Sequence, residues 1–265
     1  MDRARLKTFI LVLLLLINLT FLGLIAIDVM QTARLQSEVR AELVRVLDGM
    51  GISIDESRIP HGEEQEPYFL SRDIALERRI AAAVLGGYAT ETDEGGGIFR
   101  YVGYGGVGEG EIRSGFFRFQ MRDKQLGEDA SGRLLEQLEL RASSPISYAL
   151  PDGTVRIYTL LEGGRPIINA QVSFTFSDGY LQEVAGTALW GDAQRYAGRP
   201  QLDATTALIS LAGHLLETGG VTRFESVEMG YYLLEGAGVL ELRPVWIVQT
   251  DAGTFSIDRQ SGEIR

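Results

Sequence analysis

Acidic side chains are the residues of this chain that come nearest to a catalytic pattern, because several stand close together. They form these groups: Glu63, Glu64 and Glu66; Glu91, Asp93 and Glu94; Glu109 and Glu111; Asp258 and Glu263. A glycosidase-type site needs two carboxyl groups at a defined separation in a cleft. These groups fall in segments typical of loops and turns, where Asp and Glu are usually solvated. The pattern therefore does not predict an acid–base catalyst.

The other candidate motifs lack either the residues or the neighbouring secondary structure that catalysis or cofactor binding requires. Cysteine is absent, which excludes disulfides and thiolate chemistry, and His61 and His214 are too distant in sequence to suggest a metal-ligand pair. Gly103, Gly105 and Gly108 have the spacing of a dinucleotide-binding loop, but a strand follows them where that loop requires a helix. We expect a hairpin tip there, and a protein that is not an enzyme and carries no cofactor or metal.

The net charge excludes one class of partner. The chain carries 36 acidic and 25 basic residues, for a net charge of −11. A body with this charge repels the phosphate backbone of nucleic acids. We expect no nucleic-acid partner.

The strongest signal in the sequence is the apolar stretch from Phe9 to Ile27, which contains no charged residue. As a helix it extends over about 28 Å, close to the roughly 30 Å of a hydrocarbon core. A cleaved signal peptide is the alternative, but its apolar region is shorter, and the sequence around Ala26 is a poor cleavage site. Arg3, Arg5 and Lys7 precede the stretch, so we expect residues 1–8 in the cytoplasm and everything after the span outside, in a single-pass cell-membrane protein.

Two neighbouring segments are candidates for contact with a partner. Asn18 stands at the centre of the span, and an amide in the membrane favours a hydrogen-bonding partner, although it also has the alternative of bonding its own backbone. An apolar stripe continues along a predicted helix over residues 28–50, which Gly49 and Gly51 end. The predicted partner contacts, in the membrane and just outside it, are Leu14, Asn18, Phe21, Ile25, Leu35, Val39 and Leu43.

The remainder of the chain predicts an α+β fold in which helices alternate with groups of antiparallel strands. Each predicted helix is followed by strands that short glycine turns connect. We expect a first lobe at 51–126 and a second at 127–265, the second made of two similar units at about 127–198 and 199–265. These units share Tyr-x-Leu-Leu-Glu-Gly, then Arg-Pro, then a long alternating strand, in stretches that begin at Tyr158 and Tyr231.

Two stretches resemble a known family. "LVRVLDGMGISIDESRIP" and the ending "LRPVWIVQTDAGTFSIDRQSGEI", placed behind a basic N-terminus and one membrane span, resemble YycI-type regulatory proteins and, more loosely, their YycH sisters. The ending is also similar to a PepSY-type pattern of Pro-x-Trp-x-Val, a turn, and Asp-x-x-x-Gly-Glu. The chain departs from the family in being rich in arginine, poor in lysine and strongly acidic, which is typical of a distant member.

The resemblance implies a non-enzymatic adaptor of a cell-envelope two-component system in Gram-positive bacteria. Such a protein contacts a sensor histidine kinase and a YycH-like sister protein in the lipid bilayer, and the family contributes no catalytic residues. To regulate a kinase it must bind two states of that kinase unequally.

Two other functions remain open. One is a surface-anchored PepSY-like inhibitor or ligand-binding module, which the ending suits equally well. The other is a pilin-like or wall-assembly subunit, although pilins have a glycine processing site before the apolar helix and a glutamate shortly inside it. Here Lys7 and Thr8 precede Phe9, and no acidic residue follows until Asp28.

Overall fold

The structure is a computed structural model of the chain. It describes residues 14–15, 17–22, 35, 37–60, 64–87, 89–113, 115–122, 126–127, 129–138, 140–187, 191, 193–235 and 240–265. The chain has the predicted mixed α and β composition, and the strands within the described residues form a 14-stranded sheet.

The first helix after the apolar stretch, α1, is described over residues 37–49. It ends at the position that Gly49 and Gly51 predict. The Ile52 N–H donates to the Leu47 carbonyl at 2.9 Å and the Gly51 N–H to the Asp48 carbonyl at 3.0 Å. Gly51 has a φ of +81°, the left-handed conformation that this helix ending requires. The chain then enters a short strand, β1 (Ser53–Ile54).

Three further helices each precede a group of antiparallel strands. Strand β2 (Tyr68–Leu70) leads to α2 (Ile74–Leu85), which is followed by β3 (Ala89–Gly95), β4 (Ile98–Gly103), β5 (Gly108–Arg113) and β6 (Phe116–Met121). Helix α3 (Ala130–Gln137) precedes β7 (Ile146–Leu150), β8 (Gly153–Glu162), β9 (Arg165–Ser177) and β10 (Tyr180–Thr187). After β11 (Ala193–Arg195), α4 (Ala204–Thr218) precedes β12 (Arg223–Glu235), β13 (Leu240–Thr250) and β14 (Gly253–Asp258).

The strands belong to two parts of the sheet, in which all neighbours are antiparallel except β1, which runs parallel to β12. We call the first the large sheet; its order is β7-β8-β9-β10-β6-β5-β4-β3. The second, the C-terminal sheet, has the order β11-β2-β13-β12, with β14 beside β13 and β1 beside β12. A parallel bridge between Tyr231 of β12 and Ile167 of β9 joins the two.

Two apolar cores lie against the sheet, and the first extends from the large sheet to Leu70 and Leu242 of the C-terminal sheet. Helices α2 and α3 contribute Ile80, Val84 and Leu134 to a buried cluster with Phe119 and Phe174 of the large sheet. A second cluster joins α1 and α4 to the C-terminal sheet, through Leu43, Leu47, Leu208, Leu211, Trp246 and Val248. Amphipathic helices therefore cover one side of each part.

Strands pair across the boundary between the two lobes expected from sequence, 51–126 and 127–265. Strand β6 pairs with β10, so residues 116–121 and 180–187, from opposite sides of that boundary, lie side by side. Strand β2, from the expected first lobe, pairs instead with β13 near the end of the chain. Helix-and-strand order along a chain reports local structure, whereas strand pairing across long separations depends on the burial of whole faces.

The predicted span, Phe9–Ile27, is described only at residues 14–15 and 17–22, which are helical. Within the described part of the chain, no helix combines the length and the apolar character needed to cross a bilayer. The Asn18 side-chain amide donates to the Leu14 backbone carbonyl at 2.8 Å, which is the backbone-bonded alternative for this residue.

Candidate binding face

The conspicuous C-terminal motif Asp-x-x-x-Gly-Glu builds a turn. One carboxylate oxygen of Asp258 accepts hydrogen bonds from the Gln260 N–H at 2.8 Å and the Ser261 N–H at 3.0 Å. The Gly262 N–H donates to the Asp258 carbonyl at 2.8 Å, and Gly262 has a φ of +75°. The turn directs the chain end back along β14, because the backbones of Ser256 and Arg265 bond each other. The acidic residue of the motif thus satisfies backbone donors.

The arginine of the Arg-Pro pair ties this turn to the neighbouring strand. Arg243 lies 3.6 Å from the buried Asp258 carboxylate and 3.1 Å from that of Glu241, which also accepts a hydrogen bond from the Tyr196 hydroxyl. Burial raises the pKa of Glu241, but the neighbouring Arg243 and the Tyr196 hydroxyl outweigh it and hold this pKa below its ordinary value of 4.5. Burial and the Glu241 carboxylate raise the pKa of Tyr196.

The Glu241 cluster predicts an acid-sensitive contribution to stability. Because the folded-state pKa of Glu241 is depressed, its stabilisation is complete above pH 4.5 and is lost as the pH falls through the folded pKa. We expect Glu241→Gln to lower the free energy of unfolding at pH 7 and to flatten its decline below pH 4.5. Urea denaturation at a series of pH values tests this, with Glu263→Gln, at an exposed carboxylate, as the control. An unchanged slope in Glu241→Gln contradicts it.

Trp246, the aromatic residue of the same motif, is fully buried. Its indole N–H donates to the Leu202 carbonyl at 2.9 Å, and the Arg259 guanidinium lies 4.4 Å from the ring centroid. Arg259 also donates to the Gln65 side-chain oxygen at 3.3 Å, and burial lowers its pKa to about 10. Trp246 and Asp258 of the C-terminal motif are therefore core residues, whereas its last residue, Glu263, is exposed.

The glycine motif is a connection between strands, as expected from sequence. Gly103 ends β4, a short turn covers Tyr104–Gly106, and Gly108 begins β5, which pairs with β4. Tyr104 at its tip is exposed. No helix follows the glycines, so the arrangement that binds a dinucleotide phosphate is missing here.

Two of the acidic groups lie on strands rather than in the loops expected for them. Glu91, Asp93 and Glu94 lie on β3, and Glu109 and Glu111 on β5. Several carboxylates of these groups form ion pairs: Glu91 with Arg78 at 2.7 Å, Glu94 with Arg100 at 3.5 Å, and Glu109 with Arg122. The Arg78 guanidinium holds the pKa of Glu91 below its ordinary value. Among the described residues, no cluster of His, Asp and Glu is arranged to hold a metal ion.

The predicted partner contacts have different environments. Leu14 and Phe21 are exposed, and Leu35 and Val39 of the helix that follows are 62% and 50% exposed. Leu43 is 2% exposed and lies in the core with Leu47, so its side chain is not available to a partner. The spacing that placed Leu43 with Leu35 and Val39 does not reveal that α1 turns this residue toward α4. Ile25 lies outside the described residues.

The large sheet presents a second face opposite α2 and α3, which we call the outer face. It forms a trough of about 770 Å³, lined in part by Arg100, Glu111, Arg113, Phe116, Arg118, Gln120, Ile157, Gln171, Ser173 and Ala185. Alternation along β6 explains the two faces: Phe117, Phe119 and Met121 point into the core, while Phe116, Arg118 and Gln120 are exposed. That alternation, visible in "FFRFQM", is the sequence signal of the outer face.

Strand register arranges the outer face in rows of directly opposed residues. One row begins with charges that alternate in sign, in Arg100, Glu111 and Arg118. It continues through the small residues Ala185 and Ser173 and ends with apolar Ile157 and Ile146. Along this row the outer face is charged over β4–β6, carries small side chains over β10 and β9, and is apolar over β8 and β7.

A glycine on β5 fixes how closely the inner side of this face packs. A Cβ on Gly110 would lie 2.1 Å from the ring of Phe119, so the aromatic side chain occupies the space directly over the β5 backbone. Phe119 is fully buried and contacts Tyr101 and Phe117. The outer face thus lies on a closely packed aromatic layer, which keeps its side chains in place.

The outer face combines charged, amide and hydroxyl groups with apolar ones across a broad open surface. Arg118 on this face is partly held in place by Glu183, whose carboxylate lies 3.4 Å from the guanidinium.

Comparisons with known proteins assign no family to the chain. No known family and no curated protein matches the sequence. Among solved structures, an uncharacterized protein from Eubacterium rectale ATCC 33656 is 10% identical, with a TM-score of 0.49 over 77% of this chain and 86% of that one. The Bacillus megaterium YpeB C-terminal domain is 11% identical, with a TM-score of 0.38 over 74% of this chain and 98% of that domain. Both TM-scores lie below 0.5, too low to establish kinship.

Proposed function

We propose that this chain is a non-enzymatic, membrane-anchored binding protein that receives a polypeptide partner on the outer face of its large sheet. The observation that carries the proposal is the open outer face, on which one row of opposed side chains changes from charged at Arg100 to apolar at Ile146 across seven neighbouring strands, from β4 to β7. Exposed apolar surface rimmed by polar groups marks interaction sites in soluble domains.

The resemblance of the sequence to YycI-type proteins supports a sensor histidine kinase and a YycH-like sister protein as the partners. In this proposal, the apolar span 9–27 holds the protein in the cell membrane, with residues 1–8 in the cytoplasm and the sheet outside. The exposed Leu35 and Val39 lie between the span and the sheet, where they are available to a helix of the kinase. Regulation then follows from unequal binding to two kinase states.

A charge reversal on the outer face tests this proposal. We expect Arg118→Glu to reduce the amount of sensor kinase that co-purifies with the full chain from membranes by about tenfold, equal to about 1.4 kcal/mol. Arg133→Glu is the matched control, since Arg133 on α3 has a side chain that is 65% exposed and ion-paired to Asp129, much as Arg118 is 69% exposed and paired to Glu183.

Two outcomes contradict the proposal. Equal losses of co-purified kinase in Arg118→Glu and Arg133→Glu indicate an effect of net charge, and the outer face is then not the binding surface. Unchanged co-purification in Arg118→Glu, together with wild-type behaviour when residues 9–27 are replaced by an unrelated span, means that the kinase contacts neither the outer face nor the span.

A ligand-binding module is the second candidate, and the size of the trough favours it. Its volume of about 770 Å³ lies within the range of sites for small molecules and short peptides. Cell-wall fragments and short peptides are suitable probes. Binding of one of these to the wild-type chain, lost in Arg118→Glu but retained in Arg133→Glu, supports this candidate over a kinase partner.

A further inference from the structure

Strand β7 is an edge strand without the usual protection of sheet edges. Among the described strands it pairs with β8 alone, and its five residues, Ile146–Leu150, are all exposed and uncharged. Natural edge strands usually carry charges that prevent pairing with another chain. The opposite edge of the large sheet follows this rule, because β3 carries Glu91, Asp93 and Glu94. The β7 edge can therefore pair with a further strand, whereas the charges on β3 oppose pairing at the other edge.

The register of β7 on β8 defines which backbone groups face outward. Leu150 and Gly153 are paired across the tight turn at Pro151 and Asp152, so the backbone groups of Leu150 point toward β8. Hydrogen bonds alternate along an antiparallel strand, which directs those of Tyr148 and Ile146 toward β8 as well. The N–H and C=O groups of Ser147 and Ala149 consequently point away from the sheet.

The outward-pointing positions are symmetric about Tyr148. In sequence order they are Pro145, Ser147, Ala149 and Pro151. The inner two offer an N–H donor and a C=O acceptor each, and the outer two are prolines without an N–H. An identical strand running in the opposite direction about Tyr148 presents the same groups in the same order. Donors face acceptors and proline faces proline.

We propose that β7 pairs with β7 of a second copy of this chain, antiparallel about a two-fold axis at Tyr148. Ser147 then faces Ala149 of the second copy and exchanges two backbone hydrogen bonds with it, and the symmetric pair does the same. Tyr148 faces its own equivalent across the axis. The pairing joins two large sheets into one and satisfies the free backbone groups of this edge.

Three features favour a second copy over another extended chain. The alternation of Ile146, Tyr148 and Leu150 is self-complementary, so apolar side chains meet on the outer face. Strand β7 carries no charged residue, so no like charges face each other across the pair. The flanking prolines end the ladder at both sides, which prevents slippage of the register, and the two-fold arrangement closes without further growth into fibres.

Cysteine cross-linking tests the axis directly, because the chain contains no cysteine. Directly opposed residues of a non-hydrogen-bonded pair have Cα atoms about 4.5 Å apart, within the range of a disulfide. We expect Tyr148→Cys in the full chain to form a disulfide-linked dimer under mild oxidation at least tenfold faster than Leu150→Cys. Leu150 lies on the same face, but in the dimer it faces Ile146 of the second copy, about 13 Å from its own equivalent.

A second measurement uses a change that the isolated fold tolerates. Ala149→Pro removes an outward N–H that makes no bond to β8, so we expect wild-type circular dichroism but at least tenfold weaker self-association in light scattering. A mixture of Leu150→Cys and Ile146→Cys chains cross-links to each other if the register is correct. Equal cross-linking of Tyr148→Cys and Leu150→Cys, or unchanged self-association in Ala149→Pro, overturns the proposal even if the copies associate elsewhere.

Discussion

Replacing Arg72 with methionine is expected to lower the free energy of unfolding by about 3–5 kcal/mol, because it leaves a buried carboxylate without its cation. The Arg72 guanidinium donates to both carboxylate oxygens of Glu77, at 2.6 and 2.8 Å, and the Glu77 side chain is fully buried. Arg72 also lies 5.0 Å from the centroid of the Phe99 ring on β4. The pair therefore fixes the start of α2 against the large sheet.

Two control variants separate this effect from a general loss of surface charge. Arg72→Met combined with Glu77→Leu removes both charges and is expected to recover most of the stability. Arg78→Met breaks an exposed pair with Glu91 and is expected to cost less than about 1 kcal/mol. Chemical denaturation followed by circular dichroism measures all three. A cost below about 1 kcal/mol for Arg72→Met means that Glu77 finds another partner.

Replacing Trp246 with alanine is expected to cost about 3–5 kcal/mol, the usual range for removal of a large buried aromatic side chain. Trp246 belongs to the core formed by α1, α4 and the C-terminal sheet, and it supports the buried Arg259 guanidinium. Without the ring, Arg259 loses its cation–π contact and faces a cavity. We expect α4 to lose protection from hydrogen exchange before α2 does.

Trp246→Phe is the matched control for this experiment. Phenylalanine retains most of the buried area and the ring beneath Arg259, but it leaves the Leu202 carbonyl without the indole N–H that it accepts at 2.9 Å. We expect a smaller cost of about 1–2 kcal/mol. Equal costs for the two variants make the hydrogen bond, rather than packing, the main contribution of Trp246.

Local features of this fold are predictable from sequence because short-range chemistry determines them. Gly51 ends α1 since that position requires a left-handed backbone. Asp73 and Asp203 begin α2 and α4, because each side chain accepts a hydrogen bond from a backbone N–H of the first turn. The order of helices and strands, the α+β class and the hairpin at Gly103–Gly108 follow from such signals and from apolar alternation.

Pairing between distant strands and the direction of α1 are decided only by tertiary structure. The sequence around residue 126 contains no information that β6 lies beside β10, because many antiparallel registers bury the same alternating side chains. Likewise, Leu35, Val39 and Leu43 share a helical spacing, but only the position of α4 determines that Leu43 is buried while Leu35 and Val39 stay exposed.

For the outer face, too, some features are visible in the sequence and others depend on the packing of the fold. Four features can be read from the sequence alone: the acidic charge, the lack of cysteine, the apolar stretch at 9–27 and the alternation of polar and apolar residues along strands such as β6. Only the fold buries Trp246 and Asp258 of the C-terminal motif, places α2 and α3 on one side of the large sheet, and brings Arg118 and Ile157 into one trough. Alternation assigns side chains to two faces, but the packing of helices decides which face meets solvent.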